Sequence, residues 1–91
     1  MPKLVVTAQV EDVAKWETGF RTHGDLFRSQ GITTMNFGVG EGNEVALYQE
    51  VDDLAKWREI LESDATGEAM AIDGVKRETV KVFVLDKELD L

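Results

Sequence analysis

The chain has no cysteine, a single proline and a single histidine in 91 residues. Without cysteine there can be no disulfide, no thiolate metal site, no cysteine nucleophile and no CxxC redox motif. That composition is compatible with the cytoplasm, the expected location. The proline is Pro2, so every later segment is free to be regular. One histidine among scattered acids is a poor metal set, because a metal needs several convergent ligands. Neither a metal nor a cofactor is expected. No apolar run approaches the roughly 20 residues that span a bilayer. The opening residues Met1–Val6 carry no cleavage signature, so no secretion signal is expected. Basic residues are few, 10 against 18 acidic, for a net charge of −8. Such a surface repels phosphate backbones and anionic membranes, so neither nucleic acid nor membrane is an expected partner. There is no P-loop, no GxGxxG and no nucleophile elbow. The glycine-rich stretch Phe37–Gly42 falls within a hairpin, not between strand and helix, so it is no phosphate cradle.

What is present is a phrase written twice. VEDVAKW at residues 10–16 returns as VDDLAKW at residues 51–57. Each copy sits where a predicted strand ends and a predicted helix begins. Residues 3–10 alternate Leu4, Val6, Ala8 and Val10 with Val5, Thr7 and Gln9, the period of a strand. Asp12 can cap a helix reaching about Gln30, with Gly31 closing it. On the helical wheel Val13, Trp16, Phe20 and Phe27 fall within about 60°. Gly24 lies near that stripe, and close packing against a strand would explain it. Residues 32–40 and 44–51 form a predicted hairpin across Glu41-Gly42-Asn43. Asp53 can cap a second helix with Leu54, Trp57, Ile60 and Leu61 on its apolar face. A short helical turn over Ala65, Ala69 and Met70, a turn at Asp73-Gly74 and a last strand over residues 76–85 complete the chain. Residues 86–91 are an acidic tail.

The order is strand, helix, strand, strand, helix, strand, in one domain over residues 1–91. The repeat, 41 residues apart, is about one strand-helix-strand unit. Two such halves predict an α+β ferredoxin-like βαββαβ sandwich: an antiparallel four-stranded sheet with two helices on one face. A chain this short hides only roughly 60–65% of its unfolded surface, so burial against a partner would help. The second face of the sheet carries Val5, Tyr48, Phe83 and Leu85, with either Met35 or Phe37. An exposed patch of that kind calls for cover, and a second copy, sheet against sheet, is the economical one.

The pattern D-x-x-x-W-x-x-x-F-x-x-H (Asp12, Trp16, Phe20, His23) is followed by a hairpin ending in Val51-Asp52-Asp53, then by Met70 and Gly74-Val75. This resembles the dimeric α/β-barrel superfamily, which includes antibiotic-biosynthesis-monooxygenase-like proteins and many small uncharacterised ones. The resemblance covers nearly the whole chain and rests on structural motifs. It implies a homodimer whose sheets pair into a barrel, and small ligands held between sheet and helices or within the barrel. The haem-degrading branch of that superfamily uses an Asn, Trp and His triad. Here Trp57 can match the Trp, but no His follows it and strand one offers Gln9 instead of Asn, so haem is not expected. RNA-recognition domains and acylphosphatases share the topology. The first need exposed stacked aromatics and a basic surface, the second a phosphate loop with an arginine after strand one, and neither is present.

The candidate site residues are Trp16, His23, Phe27, Met35, Asn36, Tyr48 and Trp57. His23 is the side chain that ordinarily titrates near neutrality, and on the wheel it lies about 20° outside the apolar arc. It is either a general base or ligand-orienting group at a pocket rim, or an edge histidine bonded to backbone or a carboxylate. Trp16 and Trp57 are core residues or cleft-lining indole donors. Tyr48 is interface packing or a donor inside a barrel. Of Met35 and Asn36, on opposite faces of strand two, one must face the helices. Two roles stand side by side: a homodimeric barrel that binds a small hydrophobic or aromatic ligand, and a cofactor-independent monooxygenase or isomerase. An apolar cavity of a few hundred Å³ near His23 would favour ligand chemistry. A filled core would favour a non-catalytic module.

Overall fold

The computed structural model describes residues 1–91. Its elements run β1 (Lys3–Val10), α1 (Val13–Phe20), α2 (Gly24–Ser29), β2 (Ile32–Val39), β3 (Glu44–Val51), α3 (Leu54–Leu61), α4 (Asp64–Asp73) and β4 (Val75–Val84). The four strands form one antiparallel sheet in the order β2-β3-β1-β4. This is the expected ferredoxin-like α+β arrangement.

The doubled phrase is architectural. The Asp12 carboxylate accepts from the Lys15 amide at 3.1 Å, and the Asp53 carboxylate accepts from the Lys56 amide at 3.1 Å. The two caps share one backbone conformation, φ −148°, ψ 113° and φ −145°, ψ 109°. Each cap satisfies an amide that the first helical turn leaves without a partner. Trp16 and Trp57, four residues after each cap, are both buried.

The first predicted helix is two helices. It breaks at Arg21–His23. Thr22 and His23 turn their amides back to the carbonyls of Gly19 and Phe20, and the Thr22 hydroxyl also donates to Gly19. Those three-residue returns tighten and end α1. In the second half, the turn predicted over Ala65–Met70 is the ten-residue helix α4. Ser63 caps it, and Gly74 ends it in the left-handed region at φ 75°, which favours glycine.

The core lies between sheet and helices in two lobes. One gathers Trp16, Phe20, Val45, Val10 and Ala8, the other Leu4, Val6, Val51 and Trp57. Leu47 and Val80 pack against both. Met35 and Phe37 also pack on the first lobe. They pair with Gln49 and Leu47, so both face the helices and neither joins the open face as expected. Across that open face runs one stripe, Phe83 paired with Val5, Val5 with Tyr48, and Tyr48 with Asn36. The neighbouring row, Lys81, Thr7, Ala46 and Gly38, is mostly polar or small. The apolar patch is therefore narrower than the sequence predicts.

The β1–β4 ladder is broken where Thr7 pairs with Lys81 but Gln9 with Lys76. Four residues of β4 bulge opposite Ala8. The Gln9 amide, denied a ladder carbonyl, donates to the Thr79 hydroxyl at 2.8 Å. Such bulges bend a strand and re-aim its side chains.

Candidate functional site

A cavity of about 90 Å³ lies where the two lobes meet. Its floor is the sheet, through Val6, Ala8 and Leu47, and its roof is the helices, through Phe20 and Met70. Fourteen of its 19 lining residues are hydrophobic, so the space is apolar with a few placed polar groups. No lysine, arginine or glutamate lines it.

His23 stands at this cavity, at the turn between α1 and α2. Its Nε2 lies 2.9 Å from Asp73 Oδ2, the last residue of α4. The imidazole is 23% exposed and the carboxylate 6%. A carboxylate accepting from one ring nitrogen fixes the tautomer and orientation of the ring. The Nε2–H then points at Asp73, and Nδ1 is left as the acceptor. This is the orienting arrangement by which a carboxylate makes a histidine a positioned base.

The local sequence makes room for the pair. Gly19 lies in the last turn of α1, four residues before His23. A Cβ on Gly19 would sit 2.7 Å from Asp73 Cγ and closer still to Oδ1. The carboxylate therefore fills the space that any other residue at position 19 would take. Close packing was expected at Gly24, but there a Cβ would meet only the Arg28 guanidinium, at 3.2 Å. Gly19 is the close approach, and it faces α4, not a strand.

Asp73 was missed by sequence reasoning, which placed it in a turn with Gly74. The available signal was a glycine inside a helix, one turn before the lone histidine. Two glutamines were missed as well. Gln30 and Gln49 are each 4% exposed and line the cavity. The Trp57 indole donates to Gln49 Oε1 at 2.7 Å, and Gln30 Nε2 donates to the Trp57 carbonyl at 3.0 Å.

Of the candidates named from sequence, Trp16, His23, Phe27 and Trp57 line the cavity together. Met35 faces the helices but lies beside the first lobe, outside the cavity wall. Asn36 and Tyr48 are on the opposite face of the sheet, so the structure does not bring them to His23. Their alternation on β2 and β3 puts them out of reach, because successive side chains leave opposite faces. No three His, Asp or Glu side chains converge as a metal site requires. No helix is long and apolar enough to cross a membrane.

No protein-family model matches the chain, and no curated protein matches it. Solved structures do. A protein of Bordetella bronchiseptica, put forward as an antibiotic biosynthesis monooxygenase, superposes with a TM-score of 0.74 at 16% identity, over 97% of both chains. SnoaB of Streptomyces nogalater, a cofactor-independent oxygenase, gives 0.71 at 16% identity, over 99% of this chain and 95% of its own. A Deinococcus radiodurans protein, also put forward as an antibiotic biosynthesis monooxygenase, gives 0.67 at 11% identity, over 100% and 96%. Identities this low speak to fold alone. The chain has the ferredoxin-like fold of the antibiotic biosynthesis monooxygenase-like proteins.

Proposed function

We propose that this protein binds a small apolar or aromatic compound in the cavity between its sheet and helices. The observation that carries this reading is the apolar space with His23, oriented by Asp73, at its wall. Small-ligand sites are mostly apolar with a few convergent polar groups. The cavity volume limits the ligand. At about 90 Å³ it falls below the roughly 300–1,000 Å³ of sites for drug-sized molecules. A dry cavity of about 150 Å³ holds benzene. A single ring therefore enters once a flexible wall residue such as Met70 gives way, whereas a fused polyketide skeleton does not fit. Aromatic fragments added to the protein should shift the indole N–H resonances of Trp16 and Trp57. Ala69→Phe, which fills the lining from α4, should abolish the shifts. Unchanged spectra in the unsubstituted protein would end this reading.

A second reading rests on the same pair. In it His23, held by Asp73, takes a proton from an enolisable or phenolic ligand. Such a step opens cofactor-independent oxygenation by O₂, and also isomerisation. SnoaB, a cofactor-independent oxygenase of the same fold, lends it support. Its test is turnover or O₂ uptake with enols and phenols. His23→Ala should remove turnover while ligand binding persists. Binding without turnover across such a panel would leave the protein a binder.

The open face supports a homodimer. Phe83, in the stripe with Val5 and Tyr48, is 50% exposed, and Leu85 just beyond β4 is 48% exposed. A second copy laid sheet to sheet covers the stripe. Light scattering after size exclusion should give twice the 10.2 kDa chain mass.

A further inference from the structure

We infer that Gln30 and Gln49 form a recognition subsite for a neutral hydroxyl carried by a single-ring ligand, a phenol-type compound. This inference rests on the binding role proposed for the cavity. It begins with Trp57, fully buried on α3, which fixes the orientation of both carboxamides. An indole N–H only donates, so the atom of Gln49 that faces it is the carbonyl oxygen, and the bond is 2.7 Å. A backbone carbonyl only accepts, so the atom of Gln30 that faces the Trp57 carbonyl is the amide nitrogen, at 3.0 Å. Each glutamine thus uses one end on Trp57 and keeps the other free. The free groups are complementary: two N–H donors on Gln49 and a carbonyl acceptor on Gln30.

The free ends are assigned to the cavity because both residues line it. No fully occluded side-chain nitrogen or oxygen in the protein lacks a hydrogen-bond partner. The unpartnered Gln49 Nε2 and Gln30 Oε1 therefore keep some accessible surface, although each residue is 96% buried. The space that both residues line is the cavity. Buried amides left half-used in an apolar wall are costly unless something satisfies them. A ligand hydroxyl answers both at once: its oxygen accepts from Gln49 and its proton is donated to Gln30. Charge narrows the class further. No lysine or arginine lines the cavity, so an anion entering it would lose its hydration with no counterion. The volume of about 90 Å³ restricts the ligand to one ring.

The test compares phenol, toluene and benzoate, three single-ring probes of similar size. Binding to the full chain is followed at the Trp57 indole N–H by NMR titration. Phenol should bind about 10-fold tighter than toluene, the yield of one to two neutral hydrogen bonds, and benzoate should not bind. Gln49→Leu removes both donors, and Gln30→Leu removes the acceptor. Either should bring the phenol-to-toluene ratio close to one while toluene still binds. Two variants are used so that the unfolding of one leaves the other as a test, and the preference in the unsubstituted protein stands as a test without either. Phenol and toluene bound equally in the cavity would overturn the subsite and leave the pocket standing. A preference for phenol that survives both substitutions would do the same. Failure of all three probes to bind would overturn the pocket, and the subsite with it.

Discussion

Gly19→Ala is the sharpest perturbation the fold offers, because two effects of known sign oppose each other there. Gly19 lies inside α1. Alanine in a helix interior is favoured over glycine by about 0.8–1 kcal/mol, so substitution on an open helix would stabilise. Here the new Cβ would lie 2.7 Å from Asp73 Cγ, where ordinary contact begins at 3.4 Å. Either α1 and α4 part, or Asp73 turns away and abandons His23. Losing a hydrogen bond to a carboxylate costs about 1.5–3 kcal/mol, and a buried carboxylate left unpaired costs more. The net expectation is a loss of about 1–2 kcal/mol. At about 4–8 °C per kcal/mol for a domain of this size, thermal unfolding should fall by about 5–15 °C. The three atoms nearest the new Cβ all belong to the Asp73 carboxylate, so Asp73→Ala clears them. In that background Gly19→Ala should stabilise, by up to about 1 kcal/mol. The four proteins of this cycle, followed by calorimetry or urea unfolding, report a change of sign. A stabilising Gly19→Ala in the otherwise unchanged chain would refute the reasoning, since α4 would then not press its carboxylate on α1.

Other expectations follow from single contacts. Gly31→Ala should cost about 1–3 kcal/mol by thermal unfolding, since Gly31 holds φ 79° beside the Asp52 carboxylate and a side chain is strained there; Gly24→Ala, facing only a movable arginine, should stay within about 0.5 kcal/mol. Trp57→Phe should destabilise by about 1–3 kcal/mol in urea, because Gln49 Oε1 loses its buried donor. Phe83→Lys on the open face should convert a dimer to a monomer in light scattering and leave the fold, read by circular dichroism, unchanged.

The fold was legible because three local signals agreed. Period-two alternation marked the strands, aspartates marked the helix starts, and the repeated phrase set their spacing. Agreement across levels is what makes a sequence specify one structure. The break in the first helix was harder to see. Residues 21–23 carry no proline, and the break comes from amides of Thr22 and His23 returning to Gly19 and Phe20, which no wheel displays. The wheel did bring His23 to the edge of the apolar arc, and the cavity lies there. It could not find Asp73. That contact spans 50 residues, and its trace in the sequence is a glycine whose neighbour is unknown until the helices pack. The face of β2 was open for the same reason: alternation pairs Met35 with Phe37, but only the register with β3 says which way the pair points.

The two halves are alike where the fold needs them to be and unlike where chemistry is possible. Their caps and tryptophans match position for position. Beyond them the copies part: α2 has six residues and α4 ten. The longer helix ends at Asp73, buried against α1 at His23. The tryptophans diverge too. Trp16 stacks on Phe20 at 4.8 Å and meets Phe37 edge-on, in a wholly apolar lobe. Trp57 holds two glutamines by its ring N–H and its carbonyl. One lobe thus contributes apolar walls and the other oriented amides, and the cavity forms at their seam. A perfectly repeated chain would place identical side chains on both sides of that seam. The departure from repetition is what brings His23, Gln30 and Gln49 to one cavity, so Gln49→Leu should retain the sheet and lose the preference for phenol over toluene.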